Sequence, residues 1–484
     1  MIEKNIQNII TTTYDVVVIG SGPAGISLSL ELEKNFINVA LIEAGGSEWS
    51  ENSQEYYKGE IEGEFPRDLH ISRLRMFGGT TGHWGGTSRP LDYYDFEKWP
   101  IKKIDINNHL KKALEILEIK NSFKEKPISD ELKLVEFQVS KVRFVDKYLD
   151  KIKKSKYIKL FLNSPVLEIE GENSLTTNVV CYFNNSQKIN IKGKFFVIAA
   201  GGIENSRLLL LTNLKNNKLF TQEMPIGNYW YEHPFNELGS AVLDIKKTKE
   251  LLKNDLNYSV GMFNSGNNSI SYGFAPTKLL IDKKKILNSC CWLVLSEHNF
   301  DKKWKNILND LACIAPNLSG KFLNSFKKKI FCGAYIYSSW EQEADYHNRI
   351  VLSKTETDPF NLPLAKLIYK KSELVRNTAK VVVEEIGKFL INNELGRISI
   401  NNFLIENNAK YISESGWHHL GGTIMGDSYK NSVVDKNLKI HGSKNTYVLG
   451  SSVFPTGGHA NPTLTIIQLA LRLNEEILNK YRKI

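Results

Sequence analysis

The 484-residue sequence predicts an α/β fold with a discontinuous core, drawn from both ends of the chain, and an α+β region built on a β-sheet inserted between them. Three observations predict it. A strand, glycine turn, helix and second strand follow one another from Tyr14 to Ile42. A second strand, Gly-Gly turn and helix run from about 194 to 211. Motifs then thin out from 216 to 404 and return from Gly416 to the end, as expected if distant segments build one site. The division expected is therefore 1–215, 216–404 and 405–484.

In chain order, Tyr14–Ile19 is an apolar run of the kind found in a buried parallel strand. Gly20-Ser21-Gly22-Pro23-Ala24-Gly25 has GxGxxG spacing directly before a helix expected over Pro23–Lys34. Gly20 allows the tight turn, Gly22 lets a pyrophosphate approach the backbone, and Gly25 lets helix and strand pack closely. The helix N-terminus offers unpaired N–H groups to phosphates. The strand Asn38–Ile42 ends at Glu43, where a carboxylate can bind both hydroxyls of an adenosine ribose and would repel a 2′-phosphate. This makes a Rossmann-like dinucleotide unit, open between NAD and FAD. Phe77–Pro90 reads as a Gly-, Thr- and Ser-rich loop, and about 96–160 as a mostly helical, Lys-rich lid. From 216 to 404, strands alternate with Asn-rich loops. Residues 462–480 carry helical spacing, with Leu464, Ile467 and Leu471 on the buried side, Pro462 in the first turn and Asn461 as N-cap.

Composition narrows the function. Sixty-three basic against 53 acidic residues give a net charge of +10, but the excess is dispersed lysine, with small clusters at Lys283–Lys285 and Lys327–Lys329. No nucleic-acid module accompanies it, so no nucleic-acid partner is expected. The five cysteines, Cys181, Cys290, Cys291, Cys313 and Cys332, have no CxxC spacing, which argues against a disulfide framework or a metal site. Adjacent Cys290 and Cys291 read as core packing. No apolar stretch is long enough to span a membrane, and the N-terminus lacks a signal-peptide pattern, so the expected location is cytoplasmic.

The C-terminal segment carries Trp417-His418-His419-Leu420-Gly421-Gly422-Thr423-Ile424-Met425-Gly426, then Val434-Asp435, Ile440-His441-Gly442, Leu449-Gly450-Ser451 and Asn461-Pro462-Thr463. Together with the N-terminal turn, these resemble the glucose–methanol–choline (GMC) oxidoreductases, nearest their sugar-oxidising, pyranose oxidase-like branch. Gly79-Thr80-Thr81-Gly82-His83-Trp84, Ala199–Ile203 and Gly227–Pro234 resemble internal segments of the same family. The usual Pro after the first His is replaced by His419, and Gly450 is followed by Ser451 rather than Asp. The resemblance implies an FAD flavoprotein that oxidises an alcohol, a sugar or polyol secondary hydroxyl, by hydride transfer to flavin N5.

His418 is then the general base, its neutral imidazole being suited to take a hydroxyl proton. Asn461 hydrogen-bonds the same oxygen while also beginning the helix. Gly20, Gly22, Gly25, Glu43, Gly79, Thr80, His83, Trp84, Gly450, Ser451, Pro462 and Thr463 contact the cofactor. His83 is a candidate for covalent flavin attachment, the alternative being simple contact with the flavin ring. His419 and His459 are the competing histidines, each expected in a structural role, as are His233 and His441. The electron acceptor is open between oxygen, a quinone and a separate carrier. A lyase of the hydroxynitrile lyase kind, with a non-redox flavin, is the alternative reading.

Overall fold

The computed structural model describes residues 11–120, 123–184, 186–216, 219–221, 223–243, 270–295, 334–406 and 414–483. Cys313, Cys332 and the Lys327–Lys329 cluster lie outside the described residues, as do residues 1–10. The chain begins with β1 (Thr13–Ile19), α1 (Pro23–Glu33) and β2 (Val39–Ile42). From Tyr14 to Ile19 β1 is buried on both faces, as are all four residues of β2, which is why both read as unbroken apolar runs rather than alternations. Pro23 opens α1 with its fixed φ, and Gly22 precedes it in extended backbone.

Two distant strands complete the centre of this sheet. β3 (Gln187–Ile198) pairs parallel to β1, and β4 (Thr446–Val448) pairs parallel to the last residues of β3. The order across the sheet is Ile158–Phe161, β2, β1, β3, Leu175–Phe183 and Val166–Glu172, with β4 attached to β3. Helix α2 (Glu204–Lys215) follows β3, and α3 (Thr463–Tyr481) packs against α1. Residues Val17, Leu28, Leu41, Val197, Val448 and Ile467 share one buried apolar cluster. The N- and C-terminal segments therefore form one core.

A second sheet runs Gly396–Ile400, Pro234–Leu243, Ala334–Trp340, Ser289–Leu295, Ile270–Pro276, Leu132–Val139 and Thr87–Ser88, with two short strands on its sides. The helix Glu373–Asn392 covers it, placing Val375, Val382, Val383 and Ile386 against Trp340 and Ile336. A third sheet joins Arg349–Thr357, Pro363–Tyr369 and Gly59–Gly63. Cys181, Cys290 and Cys291 are free and buried in these cores.

The mostly helical lid expected over about 96–160 needs correction. Helices occupy Lys103–Asn107, Leu110–Leu117 and Phe144–Lys154, but Leu132–Val139 is a strand of the second sheet. The segment alternates apolar and polar residues as a strand does, and its polar residues Lys133, Glu136 and Gln138 are buried and paired rather than solvent-facing. No helix among the described residues is long and apolar enough to cross a membrane.

Candidate active site

The carboxyl ends of β1, β2, β3 and β4 open onto one cavity of about 420 Å³. This is the end of a parallel sheet where ligands of such folds bind. Its lining joins the turn after β1, Glu43 after β2, Ala199–Ile203 after β3 and Leu449–Ser451 after β4. Asn205 ties two of these ends together, accepting from Ala200 N at 2.7 Å and donating to Leu449 O at 3.2 Å and Ser452 Oγ at 2.8 Å. Nothing in its sequence context singles Asn205 out. The cavity continues past Arg73, which donates to Glu204 at 2.7 Å, and Arg207, which donates to Asp358 at 2.6 Å.

The three glycines of the turn have distinct surroundings. Gly20 has φ +105°, a conformation that side chains rarely adopt. A Cβ on Gly25 would stand 2.0 Å from Gly20 O, so close helix–strand packing requires glycine there. A Cβ on Gly22 would meet no protein atom within 4 Å, because it would project into the cavity. The first turn of α1 has no side-chain cap, which leaves its N–H groups to a ligand. Glu43 accepts from Ser21 Oγ at 2.6 Å and Gly45 N at 2.8 Å, which fixes its carboxylate beside the turn and in the cavity wall. An open glycine, an uncapped helix start and an acid at the end of β2 fit a dinucleotide such as FAD.

The second glycine segment lies against the first. Gly78 N donates to Ser21 O at 2.9 Å, and a Cβ on Gly79 would sit 3.2 Å from Gly22 Cα. Thr80, His83 and Trp84 line the cavity from this segment. Trp84 Nε1 donates to Val142 O at 3.0 Å. Burial, with Arg143 nearby, holds the His83 pKa below its ordinary value.

His418 lies on the cavity wall with Gly450, Ser451, Asn461, Pro462 and Thr463. Its Nε2 is 3.0 Å from Asn461 Nδ2, and its Nδ1 is 2.9 Å from His233 Nδ1. Loss of water lowers the His418 pKa to about 4, so the ring is neutral at neutral pH. The preceding residue, Trp417, has φ +56°, an outlier for a bulky side chain. That turn is held by Trp417 N donating to Ser415 Oγ at 2.8 Å, while the Ser415 hydroxyl meets the buried Glu232 carboxylate. Desolvation raises the Glu232 pKa to about 7.

The competing histidines lie elsewhere. His419 Nε2 faces Ser72 Oγ at 2.8 Å, packed beside Phe65 and Trp230. His459 Nδ1 faces Asn288 Oδ1 at 2.9 Å, in a buried polar cluster with Asp92 and Asp95. His441 Nε2 meets Ser432 Oγ at 2.9 Å. The expectation that Asn461 caps the last helix is corrected. Pro462 holds the cap position, α3 starts at Thr463, no side chain caps it, and the Asn461 amide turns to His418 instead. Among the described residues no cluster of ligating side chains could hold a metal ion.

Residues 344–470 match the family model "GMC oxidoreductase". The chain is 26% identical over 323 residues to the fructose dehydrogenase large subunit of Gluconobacter japonicus, covering 66% of this chain and 53% of that one. It is 28% identical over 297 residues to 2-methyl-1,2-propanediol dehydrogenase of Mycolicibacterium austroafricanum, covering 61% and 49%. The chain thus spans about half the length of these curated relatives. Among solved structures, pyridoxine 4-oxidase from Mesorbium loti superposes with a TM-score of 0.63 at 14% identity, covering 96% of this chain and 99% of that one, a likeness of fold alone.

Proposed function

We propose that this chain, whose residues 344–470 match the GMC oxidoreductase family model, is an FAD-dependent enzyme that oxidises an alcohol, a sugar or polyol secondary hydroxyl. The observation that carries the reading is the His418–Asn461 contact of 3.0 Å on the wall of the same cavity that the glycine turn enters. Two named relatives, a fructose dehydrogenase and a propanediol dehydrogenase, support a sugar or polyol as substrate. Segments 1–215 and 405–484 are assigned to the cofactor domain and 216–404 to the substrate domain, except that Thr87–Ser88 and Leu132–Val139 join the sheet of the latter.

Gly20, Gly22, Gly25, Glu43, Gly79, Thr80, His83, Trp84, Gly450, Ser451, Pro462 and Thr463 would hold the cofactor, which when bound supplies a two-electron acceptor for hydride. The protein's own part is proton handling and orientation. His418 Nε2 takes the hydroxyl proton as the alkoxide character of the oxygen develops. The Asn461 amide donates to that oxygen and fixes which face of the carbon is presented. Burial in the cavity wall lowers the His418 pKa to about 4, so the base is neutral until the substrate proton arrives.

Anaerobic mixing with a panel of sugars and polyols, with a dye acceptor and then with oxygen, tests the reading. Bleaching of the flavin by at least one secondary alcohol is expected, and a protein purified without flavin would refute it. Acid precipitation of the same preparation decides between covalent attachment at His83, which leaves the pellet yellow, and simple contact, which leaves the supernatant yellow.

A further inference from the structure

His233, the residue 2.9 Å from His418 Nδ1, is placed by the strand start at Pro234 and is fully buried. The two rings meet nearly perpendicular, at 88° with centroids 5.0 Å apart, and are not stacked. Two Nδ1 atoms at this distance share one proton, because neither two lone pairs nor two N–H groups can face each other so closely. The other nitrogens break the tie. Asn461 Nδ2 is a donor and stands 3.0 Å from His418 Nε2, so that nitrogen carries the lone pair and the His418 proton lies on Nδ1. His233 Nδ1 then accepts, and its own proton lies on Nε2, which is buried beside the Gly457 backbone without a hydrogen bond of full geometry.

We propose that His233 is a positioning residue that fixes the tautomer and ring orientation of His418, so that Nε2 meets the substrate hydroxyl as a proton acceptor. The inference rests on the reading of His418 as the base. When Nε2 gains the substrate proton, the resulting imidazolium keeps its Nδ1–H donated to a neutral acceptor. Burial and the neighbouring His418 and His459 hold His233 neutral, so no second positive charge opposes that step. This is the logic by which a base in a buried site is oriented by a third group.

The test begins with the unmodified protein. Selective ¹⁵N-histidine labelling at neutral pH should show His418 as the Nδ1–H tautomer and His233 as the Nε2–H tautomer; His418 protonated on Nε2 would overturn the proposal. His233→Phe keeps the bulk and removes the acceptor, so it should slow flavin reduction by roughly 10²-fold, within the range of positioned base catalysis, with flavin content and melting temperature retained. His233→Asn places an amide oxygen near the lost nitrogen and should recover most of that rate. A His233→Phe rate equal to the parent's, or an Asn variant no faster than Phe, would contradict the role. Because the tautomer measurement needs no substrate, its failure is distinct from failure of the oxidoreductase reading, which would show as a His418→Ala protein that reduces normally.

Discussion

His418 and His419 are adjacent residues in opposite surroundings. The first meets Asn461 and His233 at the cavity wall, and the second is closed in by Ser72, Phe65 and Trp230. The two side chains point to opposite surroundings just after Trp417, whose φ is positive. Asn461, two positions before the last helix, shows how a local rule can lose. Asn461 is an ideal capping type, yet its amide serves a partner 43 positions away in the chain rather than the N–H groups of the next turn. Asn461→Ala should therefore cost less than the roughly 1 kcal/mol of a lost cap, while slowing flavin reduction. Thermal melts beside rapid-mixing kinetics check this, and a melting loss as large as that of a lost cap would contradict the assignment of its side chain.

The β1–α1–β2 unit was legible because its signals are local. An unbroken apolar run, glycines at fixed spacing and Glu43 at the strand end each act within a few residues. The strand Leu132–Val139 carries an apolar–polar alternation, but the burial of its polar residues was not legible, since they are satisfied by ion pairs and hydrogen bonds that only the folded chain assembles. The His233–His418 contact was equally hidden, because 185 positions separate the two rings and no periodicity links them. Within the glycine turn the surroundings separate binding from folding. Gly22→Ala adds a methyl group that meets no protein atom, so the protein should fold normally and lose most of its flavin. Gly25→Ala drives a methyl into Gly20 O and should destabilise the fold itself. Absorbance at the flavin band and a denaturant titration on both variants test the distinction; full flavin retention by Gly22→Ala would contradict the placement of the cofactor.

At the scale of the whole molecule, the chain closes on itself. β4, from near the C-terminus, pairs with β3, which pairs with β1, and α3 packs on α1. That closure carries His418 and Asn461 to the wall of a cavity whose other side is the N-terminal turn. The regions that were clear in the sequence are the two that meet here, whereas the described part of 216–404 reaches the same cavity and core through residues such as Tyr231, His233 and Asp358, whose contacts lie far away in the chain. Under the proposed function, a base from the C-terminal segment governs hydride loss to a cofactor held by the N-terminal segment. The most direct test is the rate of anaerobic flavin reduction by a bleaching substrate in His418→Ala, His419→Ala and His459→Ala proteins matched for flavin content. His418→Ala should be slower by about 10²- to 10⁴-fold, with the other two near the parent rate. Reduction at the parent rate in His418→Ala would contradict the account.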